Sequence, residues 1–65
     1  MESISVRDMS VRLRKDNNMS QAQFARSIFV SQGAIARIET GRIRKGETAD
    51  TIRELYYKRY GKPEE

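Results

Sequence analysis

The chain has 65 residues, 13 of them Lys or Arg and 9 Asp or Glu, which gives a net charge of +4. A chain of this length is predicted to form one small domain, residues 1–65, that buries only about 60% of its unfolded surface. We expect it to gain further stability by dimerisation. It contains no cysteine and no histidine, which excludes disulfides, thiolate metal sites and an imidazole general base. We therefore expect neither an enzyme nor a bound cofactor, and the positive charge favours a polyanionic partner.

No apolar run approaches the roughly 20 residues that a membrane-spanning helix needs, and the N-terminus lacks the apolar segment of a signal peptide. The sequence therefore predicts a cytoplasmic protein with no membrane partner and no small-molecule substrate. Residues 1–3 and 61–65 are predicted to be loose ends.

The first predicted helix follows Ser5, whose hydroxyl can cap its first turn, with Asp8 three residues later. Its buried face is predicted to consist of Val6, Met9 and Leu13. Consecutive asparagines at positions 17–18 favour a turn, so the helix should end near residues 16–18.

Residues 20–41 indicate two short helices joined by a tight turn, and the rest of the chain is organised around them. Ser20 and Gln23 have the spacing of a capping box for the first of these helices, and Ser31 can cap the second. Gly41 should end the second helix, because glycine adopts the left-handed conformation at low cost. The residues predicted to lie between the helices are Phe24, Ala25, Ile28, Val30, Ile35 and Ile38.

This stretch resembles the helix-turn-helix of the Cro and lambda-type phage repressors, over roughly residues 4–45. The matching residues are Ser20, Gln21, Phe24, Ala25, Ile28, Val30, Ser31, Ile35, Ile38, Glu39 and Gly41. The resemblance implies an all-α fold, a compact four-helix lambda-repressor-like domain in which helices 2 and 3 form the helix-turn-helix. It also implies a structural pair between Arg14 and Glu39 that ties the first helix to the third.

Thr48 is predicted to cap a fourth helix that runs to Tyr60. Its apolar stripe should consist of Ala49, Ile52, Leu55 and Tyr56. Members of the resembled family commonly have a fifth helix that completes the core and supplies dimer contacts. Here the fourth helix must serve both roles. Tyr56, Tyr57 and Tyr60 are therefore candidate interface residues. The alternative is that Tyr56 packs inward and the other two lie at the surface.

In this motif the N-terminal part of the second helix enters the DNA major groove. Contacts to bases are expected from its outward residues Gln32, Gly33, Ala36 and Arg37. Gln32 could read adenine, and Arg37 could read guanine or hold a phosphate. Each bidentate contact to a base would give about 1–3 kcal/mol of discrimination. Contacts to phosphates are expected from Gln21, Ser31, Arg42, Arg44 and Lys45. For these polar and basic side chains the alternative is a solvated surface.

Two positions depart from the family pattern. The turn residue that is usually glycine is Phe29, which must either adopt the left-handed conformation at a cost or change the turn. An exposed ring at Phe29 would suit a protein contact. Gly33 and Ala34 replace larger polar residues at the start of the reading helix, which leaves few side chains to read a sequence.

The leading hypothesis is a small sequence-specific transcriptional regulator of the Cro or phage-repressor type. It would bind double-stranded operator DNA by the major groove as a homodimer. The alternative is a helix-turn-helix protein that modulates a larger repressor in a heterocomplex, as an antirepressor or co-repressor. The contacts of Gln32 and Arg37 distinguish the two: base edges in the first case and a partner surface in the second.

Overall fold

The computed structural model describes residues 4–62, which form four α-helices. They are α1 (Val6–Asp16), α2 (Gln21–Ser27), α3 (Gln32–Glu39) and α4 (Glu47–Tyr60). The described residues contain no strand, so the predicted all-α, four-helix class is confirmed. The parts of the predicted loose ends at 1–3 and 63–65 lie outside these residues. Within 4–62, no helix is long and apolar enough to cross a membrane.

Serine hydroxyls cap the first three helices, as the sequence predicts. Ser5 and Ser31 each accept, through Oγ, the amide three residues later, at 3.2 and 3.1 Å. Ser20 and Gln23 form the reciprocal capping box, in which each side chain accepts the amide of the other residue, at 3.1 and 2.9 Å. Each cap satisfies an amide that the helix itself leaves unpaired.

The same three helices also end in one common way. After each helix, a residue with positive φ is followed by an amide that reaches back five residues along the chain, the pattern of the Schellman motif. These amide-to-carbonyl bonds run from Met19 to Arg14 (2.7 Å), Val30 to Ala25 (2.9 Å) and Arg42 to Arg37 (2.9 Å). The positive-φ residues are Asn18 (57°), Phe29 (63°) and Gly41 (85°). Phe29 therefore adopts the left-handed conformation despite its Cβ, at the turn of the helix-turn-helix.

The start of α4 corrects the prediction of a Thr48 cap. The helix begins at Glu47, with Gly46 as the N-cap and no side-chain cap. Gly46 has φ 116° and ψ −177°, a conformation essentially confined to glycine. This residue turns the chain into the helix two positions earlier than expected, and Thr48 lies within the first turn.

The core lies at the junction of all four helices. Its buried apolar residues are Val6, Met9, Leu13, Phe24, Ala25, Ile35, Ile38, Ala49, Ile52 and Tyr56. On α1 and α3 these recur at intervals of three and four residues, which places them on one face of each helix. The opposite face of α3 is left open to solvent.

The tyrosines of α4 join that helix to α1. Tyr56 is only 7% exposed, so it presents little surface to a partner. Tyr57 and Tyr60 pack on it, with ring centroids 6.2 and 4.6 Å from its own. The Tyr60 hydroxyl donates to the Asp16 carboxylate, and the Arg12 guanidinium lies 4.2 Å from the Tyr60 ring centroid. Tyr56 thus follows the inward-packing alternative.

Candidate nucleic-acid interface

The exposed side of α3 carries the four side chains predicted to face outward. Gln32, Gly33 and Arg37 are exposed and Ala36 is half-buried. Gln32 and Ala36 are four residues apart, as are Gly33 and Arg37, so the four share one face of the helix. The buried side of α3, formed by Ile35 and Ile38, anchors that face to the core.

Arg37 is the only cation of α3, and its guanidinium lies over Gly33. A Cβ placed on Gly33 would be 3.8 Å from both Nη1 and Nη2 of Arg37. None of the salt bridges within residues 4–62 involves Arg37. Among the described residues its guanidinium has no ion-pair partner, so its N–H donors are available to an acceptor on a partner molecule.

The C-terminal end of α3 is fixed by hydrogen bonds to the carboxylate of Glu39, the last residue of the helix. Arg14 binds it in bidentate fashion, with Nε 2.9 Å from Oε2 and Nη2 2.9 Å from Oε1. Ser10 donates its hydroxyl to Oε2 at 2.7 Å, and Gln21 donates its amide to Oε1 at 3.0 Å. The Glu39 side chain is 6% exposed. One carboxylate on α3 therefore receives donors from both α1 and α2.

These donors decide the ionisation of Glu39. Burial alone would raise the pKa of this carboxyl group, but the hydrogen bonds from Arg14, Gln21 and Ser10 outweigh burial and hold the pKa below its ordinary value of 4.5. The hydrogen bond to Glu39 likewise raises the pKa of Arg14. Both partners stay charged at neutral pH, which fixes α3 relative to α1.

Two of the predicted phosphate-binding residues have structural bonds. The Gln21 amide donates to Glu39, which leaves its second N–H hydrogen for another acceptor. The Ser31 hydroxyl accepts the Ala34 amide as the cap of α3. Both residues lie at the start of a helix.

The loop after α3 carries three exposed cations, Arg42, Arg44 and Lys45. Ile43 packs against the core between them. Arg53 of α4 donates through Nη2 to the Arg44 carbonyl oxygen at 2.7 Å. The basic loop is therefore attached to the core on one side and to α4 on the other.

Two residues that support this surface are absent from the sequence-based interpretation. Ser10 is 0% exposed and bonds Glu39. It follows Val6 by four residues on the buried stripe of α1, so its spacing could have shown a buried hydroxyl in need of a partner. Arg53 supports the loop through a contact nine residues away, and no local pattern signals that contact.

A protein-family model described as Helix-turn-helix matches residues 12–55. The matched segment begins within α1, contains α2, α3 and the basic loop, and ends within α4. Comparison with curated proteins and with solved structures finds no match.

Proposed function

Because the chain belongs to the helix-turn-helix family of Cro and C1 type, whose members are DNA-binding regulators, we propose that it occupies operator DNA as a homodimer. In this proposal the N-terminal part of α3 enters the major groove. Repression then follows from blocking polymerase, without catalysis.

The observation that carries the proposal is the exposed face of α3. Gln32 and Arg37 are exposed on it, one near the start of the helix and the other more than one turn later. Gln32 has the amide needed for a bidentate contact with adenine, and Arg37 has the planar fork that matches guanine. Ala36 can contact a thymine methyl group, and Gly33 adds no side chain of its own to this face.

The basic loop supplies the contacts that do not depend on sequence. Arg42, Arg44 and Lys45 are exposed directly after α3, where cations can hold the phosphates beside the groove. Gln21 and Ser31, at the starts of α2 and α3, are the further candidates for phosphate contact.

A homodimer is proposed because one protomer offers few reading groups. Two half-sites, about one helical turn apart on the DNA, double the contacts of Gln32 and Arg37. The partly buried rings of Tyr57 and Tyr60 are candidate contact surfaces between protomers.

A second candidate function is supported by Phe29. This residue is 94% exposed, and it is the one large hydrophobic residue so exposed within residues 4–62. Its φ of 63° adds a conformational cost. Backbone strain combined with an exposed ring favours a protein contact at this turn, as in a heterocomplex with a larger repressor.

Fluorescence anisotropy tests the proposal with the DNA upstream of the coding sequence and a scrambled duplex, at about 150 mM salt. Non-specific binding should then have a Kd of roughly 10⁻⁴ to 10⁻⁶ M. A preference of about 10³-fold or more for the upstream DNA supports a sequence-specific regulator. Equal, weak binding to both duplexes contradicts it and favours the second candidate.

Arg37→Lys is the matched variant for this experiment. It keeps the positive charge and removes the bidentate fork. We expect it to lower the preference for the upstream DNA while binding to the scrambled duplex stays unchanged.

A further inference from the structure

Gly33 and Arg37 lie one turn apart on the exposed face of α3, and the second covers the first. Helical side chains lean toward the N-terminus of their helix, so Arg37 extends over the turn that contains Gly33. The Cζ atom of Arg37 lies 3.9 Å from the place that a Gly33 Cβ would occupy, and both terminal nitrogens lie 3.8 Å from it. The guanidinium thus occupies the space into which a longer side chain at Gly33 would extend.

Within the described residues, no favourable electrostatic contact holds the Arg37 guanidinium at the N-terminal end of α3. Backbone amides at a helix N-terminus carry a partial positive charge, which disfavours a nearby cation. Within residues 4–62 no carboxylate forms a salt bridge with Arg37. The N-terminal end of α3 is the part that is proposed to enter the groove. An acceptor on the DNA is therefore the expected partner of the Arg37 guanidinium at this end.

We infer that Gly33 is a specificity-determining residue that acts through Arg37, because it leaves clear the surface over which the Arg37 guanidinium extends to read a guanine. This inference rests on the proposed function. Gly33 has no side-chain donor or acceptor of its own, so its effect on sequence is indirect. The O6 and N7 atoms of guanine are the paired acceptors that suit the Arg37 fork.

The distances separate two kinds of substitution at Gly33. An alanine Cβ at 3.8 Å from the guanidinium makes an ordinary van der Waals contact, so Gly33→Ala should leave Arg37 in place. Leucine carries atoms beyond Cβ, which enter the space of the guanidinium, and so Gly33→Leu should displace Arg37. Both residues form helices better than glycine, so neither variant should lose the fold.

The experiment selects binding sites from a library of duplexes with a randomised central region. The selected duplex is then titrated by anisotropy, beside versions in which each guanine is replaced. Wild type and Gly33→Ala should share a guanine whose replacement weakens binding roughly 5- to 150-fold per half-site. Gly33→Leu should bind the original and the replaced duplex equally, while its melting temperature is not reduced.

Leucine could also collide with DNA directly, and a double-mutant cycle with Arg37→Ala separates the two explanations. If Gly33 acts through Arg37, adding Gly33→Leu to Arg37→Ala weakens binding no further. Additive losses would overturn the inference, and so would a selected site with no guanine that depends on Arg37. In both cases the proposed function stands. Failure of wild type to enrich any sequence would instead overturn the proposed function.

Discussion

The guanidinium of Arg14 and the carboxylate of Glu39 meet through two contacts of 2.9 Å, although 25 residues separate them. Their side chains are 20% and 6% exposed. The other ion pairs within residues 4–62 are more exposed, such as that of Arg7 and Asp8, whose side chains are 55% and 60% exposed. Removal of Arg14 would therefore leave the carboxylate of Glu39 charged, almost fully buried and without its ion-pair partner.

Arg14→Ala should lower the free energy of unfolding by about 3 kcal/mol, because removing one partner of a buried pair leaves the other uncompensated. Arg7→Ala, at an exposed pair, should cost about 1 kcal/mol or less. Urea denaturation of the two variants beside wild type measures the difference. Equal, small losses would show that the buried pair contributes no more than a surface one.

The pH dependence of stability should follow the carboxylates. The pKa of Glu39 is lowered in the folded protein, so its contribution is present above 4.5 and is lost as the pH falls through the folded value. The pKa of Asp16 is also lowered, chiefly by the hydrogen bond from Tyr60, and has the same sign. With no histidine in the chain, the free energy of unfolding should be nearly constant between about pH 5.5 and 7.

Denaturation in urea from pH 7 down to about pH 3 provides the measurement. Glu39→Gln should be less stable than wild type at neutral pH, yet lose less further stability on acidification. Acid sensitivity equal to that of wild type in this variant would mean that other carboxylates set the acid limit.

Phe29→Gly should stabilise the protein by about 1 kcal/mol, because glycine adopts a positive φ without the steric cost of a Cβ. Phe29 is 94% exposed, so its ring contributes little packing. Phe29→Ala is the control, since alanine keeps the Cβ and should show no comparable gain. Thermal denaturation distinguishes them; a lower melting temperature for Phe29→Gly would show that the exposed ring stabilises the fold.

Lys45→Ala should weaken binding to every duplex by a similar factor and reduce the slope of log K against log salt by about 0.9, the amount expected for one phosphate contact. Lys62→Ala removes the same charge beyond the far end of α4 and should leave the slope unchanged. Anisotropy titrations at several salt concentrations check both. Equal slope changes would indicate a general effect of net charge.

Much of the fold could be predicted because its signals are local. The caps at Ser5, Ser20 and Ser31 depend on residues within three positions, and the apolar stripes depend on one helix at a time. The start of α4 at Gly46 could not be predicted because a glycine N-cap offers no side-chain cap, whereas Thr48 fits a cap motif. Within the site, the outward residues of α3 follow from helical spacing alone. The donors that Ser10 and Gln21 direct at Glu39 could not be predicted, because they require the packed arrangement of three helices.

The hydrogen bonds to the carboxylate of Glu39 both stabilise the fold and set the orientation of α3. It lies at the end of the helix proposed to read DNA, and its donors come from the two helices before it. A folded state in which α3 is rotated away from this position would have to break these hydrogen bonds. The buried carboxylate of Glu39 would then have no donor. New sequence preferences are therefore expected to arise by exchange of side chains on the outer face of α3, while its angle to the body stays fixed.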